Sequence, residues 1–119
     1  MAKLIYKNKT VLSDMKYASN IFSISKGLMF ASKKKIGRGM CLVMPSKKDK
    51  RFSCSVTMLF VFSSLEILFV NKNFKVVDKR TLKPFVLRYT PRGKCKYVIE
   101  SIPNTFDNIK IGDKIAIKR

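Results

Sequence analysis

Apolar residues in this chain come in runs of roughly four to eight, each ended within a few positions by Asn, Gly, Pro or clustered lysine. That punctuation leaves room for strands and little room for helix. Leu4 to Tyr6 and Val11 to Leu12 flank Asn8 as an opening hairpin. Met40 to Met44 reads as a buried strand bounded by Pro45. The stretch from Ser53 to Val70 is broken by Ser63, Ser64 and Glu66, so it reads as two strands and not as a membrane span. Leu65 to Val70 and Phe74 to Val77 flank Asn71-Lys72-Asn73, whose asparagines tolerate left-handed backbone, and form the clearest hairpin. Pro84 precedes Phe85 to Tyr89. Pro91 and Gly93 then supply turn formers before a strand from Lys96 to Glu100, so another hairpin is expected there. Ile102 to Asn108 is a loop or a single helical turn, and Ile109 to Ile117 is a last segment with the turn Gly112-Asp113 inside it.

One helix is expected, near the start. Ser13 or Asp14 caps it, Met15, Ala18 and Phe22 share a face with Ile21 beside them, and Gly27 stands where a helix would stop. Lys33 to Gly39 is expected as a basic loop. The sum is a mainly β fold, a small sandwich or barrel with one short helix near the N-terminus, in a single basic domain over residues 1–119. No repeat or linker divides it.

Charge bears on function. Against 26 Lys and Arg stand 7 Asp and Glu, a formal net charge of +19, while 46% hydrophobic content is ordinary for a chain that buries a core. Charge of this density repels itself in a compact state and persists where a polyanion offsets the repulsion. Nucleic acid is the leading candidate. Anionic lipid is second, but no amphipathic helix with a basic face is present to anchor the chain, so no membrane partner is expected. Met-Ala-Lys-Leu-Ile-Tyr-Lys lacks the apolar core of a signal peptide, and a cytoplasmic location follows as the expectation. Cys41, Cys54 and Cys95 are far apart and odd in number. They are expected as buried or half-buried thiols, without a disulfide framework or zinc motif.

Groups for catalysis are scarce. The chain has no histidine, which removes imidazole bases and ligands, and its seven acids are scattered, with no close carboxylate pair. Glu66, between Leu65 and Ile67, is the acid expected to be partly buried, as an outward-facing or paired carboxylate. Gly37-Arg38-Gly39 is too short for a phosphate loop. No enzyme activity, metal, cofactor or small-molecule substrate is therefore expected. Basic residues recur at turns and strand ends, at Lys33 to Arg38, Lys47 to Arg51, Lys79 to Lys83 and Arg88 to Lys96. A single lysine run is usually a solvated face, but recurrence at loops that can converge describes a phosphate-binding footprint. The expected phosphate contacts are Lys33, Lys34, Lys35, Arg38, Lys47, Lys48, Lys50, Arg51, Arg88, Arg92, Lys94 and Lys96. Phe30, Phe52, Tyr89 and Tyr97 lie beside basic residues and can stack on unpaired bases, although rings at strand positions are more often core.

From about Val11 onward the order of segments resembles the family called domain of unknown function 192, most closely its archaeal members. The resemblance is carried by Gly27-Leu28-Met29-Phe30, Gly39-Met40-Cys41-Leu42-Val43, the run Ser55-Val56-Thr57-Met58-Leu59-Phe60-Val61-Phe62, and Leu65-Glu66-Ile67-Leu68-Phe69-Val70-Asn71. Leu82-Lys83-Pro84-Phe85, Lys96-Tyr97-Val98-Ile99-Glu100 and Ile111-Gly112-Asp113 follow in the same order. It implies a small β sandwich or barrel. It also implies that His, Pro, Asp and Asp are usual where this chain has Thr57, Ser64, Glu66 and Asn71. Those polar positions are the family's expected site. Thr57 cannot act as an imidazole and Asn71 cannot ionise, so chemistry carried there is expected to be lost. The resulting expectation is a structural RNA-binding protein, ribosomal or ribosome-associated, contacting rRNA phosphates beside neighbouring ribosomal proteins. An enzyme or small-ligand protein retaining an ancestral activity, and a DNA-binding module, stand as the alternatives.

Overall fold

A computed structural model describes residues 2–18, 33–44, 63–85 and 89–119. Among these residues seven strands form one sheet: β1 (Ala2–Tyr6), β2 (Lys9–Ala18), β3 (Met40–Val43), β4 (Leu65–Val70), β5 (Val76–Leu82), β6 (Tyr97–Ser101) and β7 (Ala116–Lys118). A short helix, α1 (Lys33–Arg38), precedes β3. The strand order is β5-β4-β6-β3-β2-β1-β7, antiparallel throughout except for the parallel pair β2–β3. The sheet curls into a half-barrel. Its two ends are then drawn together by the segment leading into β7. Val76 N–H donates to Asp113 O (2.8 Å), Gly112 N–H to Val76 O (2.8 Å) and Ile115 N–H to Phe74 O (2.9 Å), while β7 itself pairs with β1.

The expected mainly β architecture with one short helix is the fold observed, but the helix lies elsewhere. Residues 13–18 belong to β2, and the rest of the expected helix, with Phe22 and Gly27, lies outside the described residues. The misleading signal has a physical source. In an extended strand a spacing of three places residues on opposite faces, so Met15 enters one core and Ala18 the other. A strand buried on both sides thereby imitates the apolar spacing of a helix. Conversely, Lys33 to Arg38, expected as loop, is α1. Its tie is tertiary: Ile36 is buried, its carbonyl accepts from Gly39 N–H (3.0 Å) and from the Ser101 hydroxyl (3.2 Å).

The hairpins expected around Asn8 and around Asn71-Lys72-Asn73 form, whereas the one expected between Phe85 to Tyr89 and Lys96 to Glu100 does not, because β6 pairs with β3 on one side and β4 on the other. Lys7 (φ 48°) and Asn8 (φ 64°) make the tight left-handed turn that matches strand twist between β1 and β2. Between β4 and β5 the Asn71 side chain accepts from the backbone N–H groups of Asn73 and Lys75, both at 3.0 Å, and the connection runs from Asn71 to Lys75.

Two apolar cores flank the wall made by β4 and β6. Leu68, Val70, Ile99 and Cys41 face inward with Leu4, Met15, Phe106, Ile109 and Ile115. Ile67, Phe69, Val98, Met40 and Leu42 face the other side with Ile36. β4 is buried on both faces, which explains why it is apolar throughout except at Glu66. Cys41 is a buried thiol, whose burial pushes its pKa up to about 12. Cys95 is instead disulfide-bonded, so the expectation that all three cysteines are thiols does not hold.

Gly39 is the tightest joint between α1 and the sheet. Its φ is +83°, and a Cβ there would meet Leu12 Cδ1 at 2.5 Å and the Glu100 carbonyl oxygen at 3.3 Å. Gly39→Ala is expected to cost on the order of 2–3 kcal/mol from left-handed strain and forced repacking. Urea unfolding measures it, and an unchanged midpoint would contradict this account.

Candidate nucleic-acid interface

The acids of this chain are largely drawn away from its surface. Glu66, Asp78 and Glu100 are buried. Glu66 Oε1 accepts from Phe106 N–H (2.6 Å). Asp78 accepts from the Tyr89 hydroxyl, from Arg92 N–H (3.1 Å) and from Lys79 N–H (2.9 Å), pinning the 89–92 segment to β5. Half-buried Asp113 accepts from the Tyr6 hydroxyl and from Lys110 N–H (2.9 Å), and these bonds hold its carboxyl below the usual range. Among the described residues Asp14 and Asp107 are left as exposed acids, against fifteen exposed Lys and Arg side chains. The surface is therefore more one-sided than the net charge of +19 conveys.

Four of the expected phosphate contacts, Arg38, Arg92, Lys94 and Lys96, have described side chains. Arg38 is exposed at the end of α1, beside Ser101 at the close of β6. Lys94 and Arg92 are exposed before β6 begins. The length of β6, roughly 17 Å, separates the two groups. Arg92 also lies 3.8 Å from the Asp78 carboxylate, and Lys96 Nζ donates to Met44 O (3.0 Å), so these two cations already hold structural partners. Lys33, Lys34 and Lys35 are on α1. Lys47, Lys48, Lys50, Arg51 and Arg88 lie outside the described residues, as do Phe30, Phe52 and Thr57. Tyr97 stacks on Phe74 (centroids 5.0 Å apart), and Tyr89 packs against Phe69 (5.6 Å) with the Arg80 guanidinium 5.1 Å from its ring.

A different set of cations does converge, along the seam that closes the barrel. Lys3 is paired directly with Lys118 across β1 and β7, and Lys75 is bridged directly to Lys114. The flanking bonds at Val76 and Ile115 make Lys75 and Lys114 a non-hydrogen-bonded pair, the kind with side chains closest together. All four lysines are exposed. Lys114, Ala116 and Lys118 alternate with inward Ile115 and half-buried Ile117, so the two lysine pairs point the same way, roughly 13 Å apart. Like charges directly opposite one another destabilise a sheet. Sequence reading missed this ladder because its members lie at the two ends and the middle of the chain; only pairing brings them together.

The polar positions singled out by family resemblance have structural work. Asn71 holds the β4–β5 turn and Glu66 caps the Phe106 amide. They stand at opposite ends of β4 and share no site. Glu100 is different. It is buried between Met40 on β3 and Ile67 on β4, no hydrogen-bond donor reaches its carboxylate among the described residues, and burial pushes its pKa up to about 7.

With the geometry in place, comparison with known proteins places the chain. The family model for domain of unknown function 192, described as Uncharacterized ACR, matches residues 4–117. The chain belongs to this family. Domain of unknown function 192 relatives include a UPF0127 protein of Pyrococcus horikoshii, 32% identical over 111 residues, spanning 92% of this chain and 91% of the relative. A UPF0127 protein of Pyrococcus furiosus is 27% identical over 117 residues, 97% of this chain and 96% of the relative. Among solved structures, a protein of unknown function from Novosphingobium aromaticivorans superposes with a TM-score of 0.80 at 19% identity, covering 97% of this chain and 82% of that one. A Sinorhizobium meliloti protein described as a putative transcription regulator gives 0.75 at 16% identity, covering 98% and 90%. These two likenesses establish the shared fold. Among the described residues no helix is long and apolar enough to cross a membrane.

Two measurements probe the electrostatics. Lys114→Glu turns a repulsive cross-strand pair into an attractive one and is expected to stabilise the isolated protein by about 0.5–1 kcal/mol at low salt, fading at high salt. Glu100 binds its proton more tightly folded than unfolded, so its stabilising share is complete below an ordinary glutamate pKa and is lost as pH rises to about 7, roughly 3 kcal/mol in all. Glu100→Gln is expected to abolish that share of the pH slope and to exceed the parent in stability at pH 8. Parallel stability curves for parent and variant across pH 4–8 would show that the carboxylate has a partner.

Proposed function

We propose that this protein is a structural RNA-binding protein whose cellular target is ribosomal RNA, held through phosphate contacts and not through base-by-base reading of a duplex. The observation that carries this reading is the lysine ladder on the closing seam. Two like-charged pairs, Lys3 with Lys118 and Lys75 with Lys114, are held at adjacent-strand distance with all four side chains exposed. Each pair weakens the isolated fold at the place where the barrel must close. An anionic strand lying along the seam reverses the sign of that interaction, because every lysine then faces a phosphate and the bound counterions are released. The wider surface supports the same partner, since four of the six described acids, Glu66, Asp78, Glu100 and Asp113, are buried or bonded.

The scaffold also fits a role in positioning. The seam is rigid β structure, so its phosphate contacts are set by strand register and not by loop ordering. Arg38 and Lys94, exposed at opposite ends of β6, extend the charged surface beyond the seam and allow contact with more than one RNA segment. A protein that joins neighbouring segments by phosphate contact matches the demands of a ribosomal particle.

The test has an affinity arm and a cellular arm. RNA binding measured from 50 to 300 mM salt is expected to weaken steeply. Replacing Lys75 and Lys114 by Gln is expected to flatten the log–log slope by about 1.4 for a single strand, at about 0.7 per phosphate lost. The protein is expected to sediment with ribosomal particles at low salt, to leave them in a high-salt wash, and to be released by RNase but not by DNase. Recovery only in free fractions at low salt would overturn the ribosomal assignment, and salt-independent binding would overturn the phosphate mechanism.

A further inference from the structure

Beside the lysine ladder, where the β1–β2 turn meets the 105–113 segment, the surface opens into a groove of about 660 Å³. A space of that size is ample for one nucleotide. The ladder runs toward it: Ala116 pairs with Ile5, and the two strands continue to Lys114 on one side and Lys7 on the other. The groove has a cationic part and a base-reading part. Lys7, Lys9 and Lys110 line it and are exposed. The floor is rigid, because the Tyr6 hydroxyl and the Lys110 amide both bond Asp113, and Lys7 Nζ sits 5.3 Å from the Tyr6 ring centre. Both bonds fall on Asp113 Oδ2, which ties this carboxylate to the groove floor. The next carboxylate is not so tied: Asp107 lines the groove with Asn108, both are exposed, and neither side chain has a hydrogen-bond partner among the described residues.

An unpaired carboxylate among lysines selects among bases by the arrangement of their donors. Guanine alone presents two adjacent N–H donors, N1–H and N2–H, which a carboxylate accepts side by side. Adenine, cytosine and uracil each set an acceptor beside their donor, and that acceptor repels the carboxylate. The neighbouring Asn108 amide can donate to the guanine carbonyl. We infer that this groove receives one unpaired guanosine nucleotide of the bound RNA, its phosphate on Lys7, Lys9 and Lys110 and its Watson–Crick edge on Asp107 and Asn108. This inference rests on the RNA-binding reading above and adds to it a point of base selection that the lysine ladder cannot provide.

Three single-stranded RNA heptamers, each of uridines with guanosine, adenosine or uridine at the centre, test it against the full-length protein by fluorescence anisotropy at low salt. The guanosine heptamer is expected to bind on the order of tenfold more tightly than the other two. Asp107→Asn, a substitution at an exposed position whose fold is checked by circular dichroism, is expected to erase that preference while leaving uridine-heptamer binding and its salt slope unchanged. In the parent protein, guanosine monophosphate alone is expected to shift the backbone amide resonances of Asn108 and Lys110. Equal, salt-sensitive binding of all three heptamers, or a guanosine preference that survives Asp107→Asn, would overturn the groove assignment and leave the RNA reading standing. Failure of all three heptamers and of longer RNA to bind would overturn both.

Discussion

The fold depends on one short stretch of backbone pairing. Residues 112–115 bond to 74–76 at the start of β5, and a single residue later the same chain becomes β7 and bonds to β1. The segment thus draws together the ends of a sheet that would otherwise present two open edges. Ile109 and Ile115 reach the inner core from this stretch and Phe106 from the loop before it, so the closing segment also seals the apolar interior. Edge strands invite association with other chains, and curling the sheet onto this segment blunts that hazard.

The closure carries an electrostatic conflict. Hydrogen bonding and apolar burial hold the seam shut, while Lys3 against Lys118 and Lys75 against Lys114 oppose it. The buried terms are the larger, since cross-strand charge pairs contribute only up to about 1 kcal/mol each and are screened by salt. Repulsion that costs little in the free protein becomes a source of affinity once an anion lies along the seam. The groove of Lys7, Lys9 and Lys110 stands at the end of the same ladder, where the Tyr6–Asp113 bond links the β1–β2 turn to the closing segment. Closure and the proposed recognition thus use the same few residues.

Strand content, the β1–β2 and β4–β5 hairpins and the β3 and β6 segments are legible in the sequence because each rests on local chemistry, asparagine at left-handed positions or apolar runs between turn formers. The helix expected over Met15 and Ala18 is instead strand, because the two residues supply opposite cores from one extended segment, a placement that only the tertiary packing sets. The helix at Lys33–Arg38 is not legible locally because its described ties are tertiary, among them the Ser101 hydroxyl, which β6 contributes to the Ile36 carbonyl. Similarly, Glu66 and Asn71 drew attention as polar residues in an apolar context. Their partners, the Phe106 amide and the turn amides, show structural duties, while Glu100, near the end of an ordinary strand, is the buried carboxylate without a hydrogen-bond partner among the described residues.

What the sequence by itself determined is the class of fold, together with a charge balance that sets the expectation of a polyanion partner. Strand-length apolar runs permit few alternatives to a β sheet, and a net charge of +19 without histidine favours polyanion binding over imidazole chemistry. The tertiary structure decided which charges act together. Composition counts lysines without regard to distance, whereas antiparallel pairing sets Lys3 against Lys118 and Lys75 against Lys114, and burial removes Glu66, Asp78 and Glu100 from the surface. Electrostatic interaction falls off within about 10 Å in salt, so a binding face exists only where folding brings charges inside that range.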